Sequence, residues 1–120
     1  MKCGFNFELN DVIYTNCFIE SSLYPNGNLQ LSLFGTDPAI NETAHIIDIT
    51  LEHNALKLPK DEIIVDCYFR PTLVAQLKEL KVIKEQTGSC IVNLRFYPVY
   101  TIDLTKVAEK KWYMYDLVAA

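Results

Sequence analysis

Hydrophobic and polar residues alternate with a period of two along much of the first half of the chain. Phe5, Phe7 and Leu9 are separated by polar residues, and the same alternation recurs over residues 29–33 and 47–51. This period is typical of strands with one buried face. A further strand over residues 13–19 is apolar on both faces. Residues 24–27, Tyr-Pro-Asn-Gly, are strong turn formers, so we expect a hairpin to close there.

The second half has a different pattern. Residues 63–65 form a short apolar run, as expected of a strand that is covered on both faces. After Pro71, apolar residues recur at helical spacing up to Leu80, which predicts an amphipathic helix. Residues 87–89, Thr-Gly-Ser, predict a turn, and strands follow over residues 90–96 and 100–104, with Pro98 ending the first or forcing a bulge. The C-terminal segment, residues 108–119, has a pattern that suits a helix or a strand, and we favour the helix.

Together these elements predict one α+β domain over residues 1–120. Its largely antiparallel sheet should have about five to seven strands, with the amphipathic helix packed on one face and a helix at the C-terminus. A chain of 120 residues is long enough to bury a core of its own.

Charge is divided unevenly along the chain. The first 56 residues carry seven carboxylates and a single cation, Lys2, for a sum of −6, whereas the remainder sums to +2. The net charge of −4 argues against direct nucleic-acid binding and against an anionic membrane surface, because both favour basic proteins. An acidic domain is better suited to a basic protein partner. Polar residues follow Met1 too soon for a signal-peptide core, so we expect a cytoplasmic protein.

Strand periodicity predicts where the acidic groups lie. If the apolar rows face the core, Glu8, Asp48 and Glu52 face away from it, and Glu20 joins them on the second strand with Tyr14 and Phe18. Carboxylates steer a partner and aromatic residues anchor it. These six residues are therefore the predicted partner-binding site. The alternative is an ordinary solvated face, with Tyr14 and Phe18 covered by the C-terminal segment.

The sequence shows no catalytic or metal-binding signature. His45 and His53 are about 26 Å apart on an extended strand, which is too far to share a metal. The four cysteines lack Cys-x-x-Cys spacing and are interpreted as reduced, buried side chains. No glycine-rich phosphate loop is present. We therefore expect no metal, no cofactor and no enzymatic activity. An enzyme that uses Cys67 or the carboxylates of Asp61, Glu62 and Asp66 is a remote alternative.

The tail combines cations with aromatic residues. Lys106, Lys110 and Lys111 could track a nucleic-acid strand, but a solvated helix face is the better interpretation of so few charges. Trp112, Tyr113 and Tyr115 could supply rigid contact area for a homodimer.

Four short strings in the chain carry a resemblance to a known family. They are Tyr24-Pro25-Asn26-Gly27-Asn28-Leu29-Gln30-Leu31, then Asp48-Ile49-Thr50-Leu51 before Leu58-Pro59, then Val65-Asp66, and finally Tyr97-Pro98-Val99-Tyr100 before Asp103-Leu104. Over about residues 24–107 the chain resembles an uncharacterised small-domain family found on conjugative and integrative elements of Gram-positive bacteria. It departs from that family at residues 67–70, where the family has an Asn- and Trp-containing stretch.

The resemblance implies an origin on mobile DNA and brings no catalytic residues with it. Small acidic proteins of such elements often antagonise host defence by occupying the basic groove of a nuclease, as anti-CRISPR and anti-restriction proteins do. The resemblance therefore favours an inhibitor of a host nuclease that acts through the acidic face. The alternative is a structural or regulatory accessory of conjugative transfer, as a homodimer.

Overall fold

The computed structural model describes residues 4–53 and 56–109. Within these ranges the chain forms eight strands, one α-helix and one short 3-10 helix at Leu104–Lys106. The strands are β1 (Phe5–Leu9), β2 (Val12–Leu23), β3 (Leu29–Asp37), β4 (Glu42–Asp48), β5 (Glu62–Ile64), β6 (Ile83–Val92), β7 (Arg95–Ile102) and β8 (Ala108–Glu109), and the helix is α1 (Leu73–Glu79).

The first sheet is built from consecutive antiparallel strands in the order β1-β2-β3-β4, and β8 pairs in parallel with the end of β2. The predicted hairpin joins β2 to β3. The amide of Gly27 donates a hydrogen bond of 2.8 Å to the carbonyl of Tyr24, and Gly27 has a φ of 90°, which a residue with a side chain rarely adopts. The turn predicted from residues 24–27 is therefore confirmed.

The second sheet has three antiparallel strands in the order β5-β7-β6. The turn predicted at residues 87–89 is wrong, because those residues lie inside β6, where Gly88 pairs with Val99 and Ser89 with Pro98. Long-range pairing with β7 overrides the local turn preference. Pro98 does not end β7, and the register of β6 shifts between Gln86 and Gly88, close to the residue that pairs with the proline.

Residues 49–51 connect the two sheets. The amide of Ile49 still bonds to Leu31 of the first sheet, whereas Leu51 bonds to Ile64 and Thr50 forms an antiparallel bridge with Val65. The strand predicted over residues 47–51 therefore crosses from one sheet to the other. The predicted alternation ends at this crossing, because Thr50 is buried beside Ile49 and Leu51 is only partly buried.

Helix α1 packs its apolar face into the core, as the periodicity predicts. Leu73 and Leu77 are fully buried among core residues from both sheets. Gln76 also faces the edge of β1: its Nε2 donates to the carbonyl of Glu8 at 2.6 Å, and its Oε1 accepts from the amide of Glu8 at 2.9 Å. The side-chain amide thus pairs with the strand edge as a neighbouring strand would.

The α+β class and the predominance of antiparallel pairing are confirmed. The predicted single sheet is wrong in detail, because the strands divide into two sheets. The predicted C-terminal helix lies largely outside the described residues, and Ala108, its first predicted position, belongs to β8. Among the residues that the structure describes, no helix is long and apolar enough to cross a membrane.

Candidate functional site

A row of polar residues crosses the first sheet on the face turned away from the core. Glu20 on β2 lies opposite Ser32 on β3, and Ser32 lies opposite Asp48 on β4. Directly opposite residues in an antiparallel sheet share a face. The row is therefore contiguous, and the hydroxyl of Ser32 donates to Oδ1 of Asp48 at 2.8 Å. The structure thus brings together Glu20 and Asp48, two of the predicted residues.

Asp48 is held as a carboxylate. Its Oδ1 lies 2.8 Å from Nε2 of His45, and Nη1 of Arg70 donates to its carbonyl at 3.3 Å. Partial burial opposes ionisation, but the hydrogen bonds from His45 and Ser32, with the positive charges of His45 and Arg70, outweigh it and keep the pKa of Asp48 below its usual value. The acidic group at the β4 end of the row is therefore charged at neutral pH.

An aromatic pair borders this row. Phe18 and Phe34 lie opposite each other on β2 and β3 and stack with ring centroids 5.4 Å apart, and His45 meets Phe34 edge-on at 5.4 Å. Both phenylalanine rings are partly exposed. We call Phe18, Glu20, Ser32, Phe34, His45 and Asp48 the outer-face patch. It offers a partly exposed apolar surface next to two carboxylates.

Further carboxylates gather at one end of the patch, around the hydroxyl of Tyr24. Burial raises the pKa of Tyr24, and the negative charges of Asp48, Glu52 and Asp66 raise it further, although a hydrogen bond from Thr50 acts in the opposite direction. Glu52, a predicted site residue, is exposed and therefore extends the acidic surface beyond the patch. Asp66 is partly neutralised by Arg70, whose Nη1 lies 3.5 Å from its Oδ2.

Tyr14 does not lie on the outer face, and the prediction that it shares a face with Phe18 is wrong. Tyr14 lies opposite Phe7 and packs against the core. The reason is a bulge in β2, where the register shifts between Thr15 and Phe18 and Asn16 takes a φ of 50°. One extra residue reverses which side chains face the core.

Glu8 lies on the outer face but far from the patch. It pairs with Ile13 near the start of β2, about 20 Å along the strand from Glu20 at the usual strand rise. Its backbone is bound by Gln76, as described above, while its side chain is exposed. The predicted site therefore divides into Glu8 at one end of the sheet and Phe18, Glu20, Asp48 and Glu52 at the other.

Sequence reasoning missed three members of the patch: Ser32, Phe34 and His45. Ser32 and Phe34 share the outer parity of β3 with Gln30, so the alternation was sufficient to find them. His45 could not be found in this way. The register of β3 and β4 shifts between Leu33 and Phe34, and this shift places His45 opposite Phe34.

The first two of the strings that carry the family resemblance meet in space. Asn26 donates from Nδ2 to the carbonyl of His53 at 3.2 Å, and buried Asn28 bonds to both the carbonyl of Leu56 and the amide of Leu58, at 2.6 and 2.9 Å. Tyr24 bonds to Thr50 at 2.8 Å. The turn thus clamps the segment that connects β4 to β5. These strings therefore have a structural role in the fold.

Nucleophilic chemistry is not favoured by the described thiols. Burial raises the pKa of Cys17 to about 11 and also raises the pKa of Cys67 and Cys90. These side chains therefore stay protonated at neutral pH, whereas a nucleophile needs the thiolate. Across residues 4–53 and 56–109, no group of three His, Cys, Asp or Glu side chains is placed to hold a metal ion.

The proposed oligomer contacts, Trp112, Tyr113 and Tyr115, lie outside the described residues, as do Lys110 and Lys111. The homodimer through the tail therefore stays a prediction.

Comparison with family models, with curated proteins and with solved structures finds no match for this chain. The resemblance to a mobile-element family stays an expectation from the sequence.

Proposed function

We propose that this protein is a non-enzymatic binding module whose outer-face patch takes a basic surface of a protein partner. The observation that carries the proposal is the row from Glu20 through Ser32 to Asp48, beside the stacked Phe18 and Phe34. A charged row steers a cationic partner, and an adjacent aromatic surface supplies apolar contact area.

The surrounding charge supports a cationic partner. No Lys or Arg occurs between residues 4 and 53, so the strands β1 to β4 contribute only carboxylates and His45 to the charge of their sheet. Within the described residues, neither of the two ion pairs involves Glu20. Its carboxylate is therefore available to a Lys or Arg of a partner, for which a charge-assisted hydrogen bond is the strongest polar contact.

The most concrete form of this proposal is an inhibitor of a host defence nuclease. Carboxylates on a rigid sheet can occupy positions that phosphates take in the basic groove of such an enzyme. If the protein inhibits a nuclease in this way, nucleic acid should compete with it for the partner. Salt should also weaken the complex, because the contacts are ionic.

Charge reversal at Glu20 in the patch and at Glu52 beside it tests the proposal. We expect Glu20→Lys and Glu52→Lys each to weaken partner binding by about 1–3 kcal/mol, roughly five-fold to more than a hundred-fold in affinity. Glu42→Lys is the matched control, because Glu42 is exposed on β4 but pairs with Asp37 at the opposite end of that strand. All three variants change the net charge equally. Asp48 is left unchanged because its carboxylate also bonds to the sheet.

The measurement is capture from a host lysate at low and high salt, with the retained proteins identified by mass spectrometry. Support requires a basic protein that the wild type and Glu42→Lys retain, that both Glu20→Lys and Glu52→Lys lose, and that duplex DNA displaces. If Glu20→Lys and Glu52→Lys retain the same proteins as Glu42→Lys, the acidic face is not the binding site. Thermal unfolding of each variant verifies that the fold is intact.

A further inference from the structure

A second surface lies at the end of the β6–β7 hairpin and, unlike the outer-face patch, is mainly apolar. Large apolar side chains point into solvent there: Leu94 is 96% exposed, Phe69 is 79% exposed and Phe96 is 71% exposed. Ile91 lies opposite Phe96 and is also exposed. We call Tyr68, Phe69, Ile91, Leu94, Arg95 and Phe96 the hairpin end. Exposed apolar side chains that cluster on one surface are a feature of interaction sites.

Two of these side chains belong to residues whose backbone conformation is unfavourable for a bulky residue. Leu94 and Phe69 each have a φ of 64°, in the left-handed region that glycine and asparagine tolerate and bulky residues do not. Neither side chain is needed to fill the core, since both are exposed. The turn at Leu94 requires the positive φ but not a leucine side chain, and strained residues of this kind are concentrated at functional sites. Two of them occur here on one surface.

The hairpin end carries one preorganised cation. The guanidinium carbon of Arg95 lies over the ring of Tyr68, 4.1 Å from the ring centroid, and 5.5 Å from the ring centroid of Phe69. The two ion pairs in the described part of the chain involve His45 and Arg70, and neither involves Arg95. These cation–π contacts hold the guanidinium at the surface, where its N–H groups can form a bidentate pair with a carboxylate.

The strand that leads to this surface is an edge strand. In the described residues, β6 pairs only with β7, so its other edge has no strand beside it. An extended peptide can add to such an edge through its backbone, while pockets or patches alongside select its side chains.

We infer that the hairpin end is a docking surface for an extended peptide segment of a partner protein, one that carries a carboxylate close to large apolar side chains. The carboxylate pairs with Arg95, and the apolar side chains contact Phe69, Leu94 and Phe96. This surface is independent of the outer-face patch, which requires the opposite charge in its partner.

Selection from a random displayed peptide library on the immobilised wild-type protein tests this inference. We expect enriched peptides to combine Asp or Glu with Phe, Trp, Leu or Ile a few positions away. A synthetic copy of an enriched peptide should lose about tenfold or more in affinity for Leu94→Gly and for Arg95→Gln. Its binding should perturb the amide signals of residues 68–69 and 91–96.

Leu94→Gly separates binding from folding, because glycine accepts the positive φ and should unfold at the same temperature as the wild type or higher. Glu20→Lys is the control at the other surface and should bind the peptide as the wild type does. Three results would overturn the inference: no enrichment over the bare support, enrichment of basic peptides, or unchanged affinity in both hairpin-end variants. A dimer that Leu94→Gly dissociates would also overturn it, since the occupant would then be a second copy.

Discussion

Replacing Asn28 with Ala should destabilise the protein although no catalytic or charged group is touched. Asn28 is 5% exposed, and its side-chain amide bonds to the carbonyl of Leu56 and the amide of Leu58. The substitution removes both bonds at once. It leaves a backbone acceptor and a backbone donor in a partly buried segment without these partners.

The expected loss in the free energy of unfolding follows from these two hydrogen bonds. A lost hydrogen bond whose partner stays buried reduces stability by roughly 1–3 kcal/mol, and the lower half of that range applies here because Leu56 and Leu58 are only partly buried. We therefore expect Asn28→Ala to lower the free energy of unfolding by about 2–4 kcal/mol. For a domain of this size the unfolding temperature should fall by roughly 8–15 °C.

Urea unfolding, monitored by circular dichroism, measures the loss in the free energy of unfolding. The dependence of that free energy on urea concentration should be the same in the variant and the wild type. Asn6→Ala is the matched control, because Asn6 is exposed on β1 and makes no side-chain hydrogen bond within the described residues; it should stay within about 0.5 kcal/mol of the wild type. An equal effect of the two substitutions would refute the argument that the turn clamps the β4–β5 connection.

Three further predictions concern the packing that holds the two sheets and the helix together. Gln76→Met should lower stability by about 1–2 kcal/mol and speed hydrogen exchange at the amide of Glu8, because both bonds to the strand edge are lost; unchanged exchange would contradict this role. Gly35→Ala should lower stability by roughly 1–3 kcal/mol, since the new Cβ would come within 2.6 Å of Sγ of Cys17; calorimetry measures it, and an unaltered unfolding temperature would be inconsistent with that contact. Burial raises the pKa of Cys17 to about 11 from 9.0, so its contribution to stability is complete below about pH 9 and is lost as pH rises towards 11. Cys17→Ala should therefore flatten the alkaline decline in the urea midpoint, and parallel profiles would argue against a buried thiol.

Much of the candidate site followed from strand alternation. Phe18, Glu20 and Asp48 lie on the outer face as their positions predict, because the residues beside them, Ile19 and Ile47, are buried. The face of Tyr14 could not be predicted in the same way. A bulge at Asn16 reverses the alternation, and nothing in the local pattern indicates which strand will carry the extra residue.

The turn at the hairpin end could not be predicted from the sequence, for a different reason. Residues 90–96 read as an uninterrupted alternating strand, so Asn93 and Leu94 gave no turn signal of the usual kind. In the structure they form the tight connection between β6 and β7, both with positive φ. Pairing of Ile91 with Phe96 and Val92 with Arg95 closes the hairpin there despite the unfavourable position of Leu94.

The sequence by itself determined the local elements: the turn at residues 24–27, the apolar face of α1 and the alternation of the strands. These depend on backbone preferences and on spacing within a few residues. Only the tertiary structure decided that the strands form two sheets, that the bridge between Thr50 and Val65 connects those sheets, and that β8 pairs with β2. Those contacts join distant parts of the chain, and their stability depends on packing between partners that no local pattern specifies.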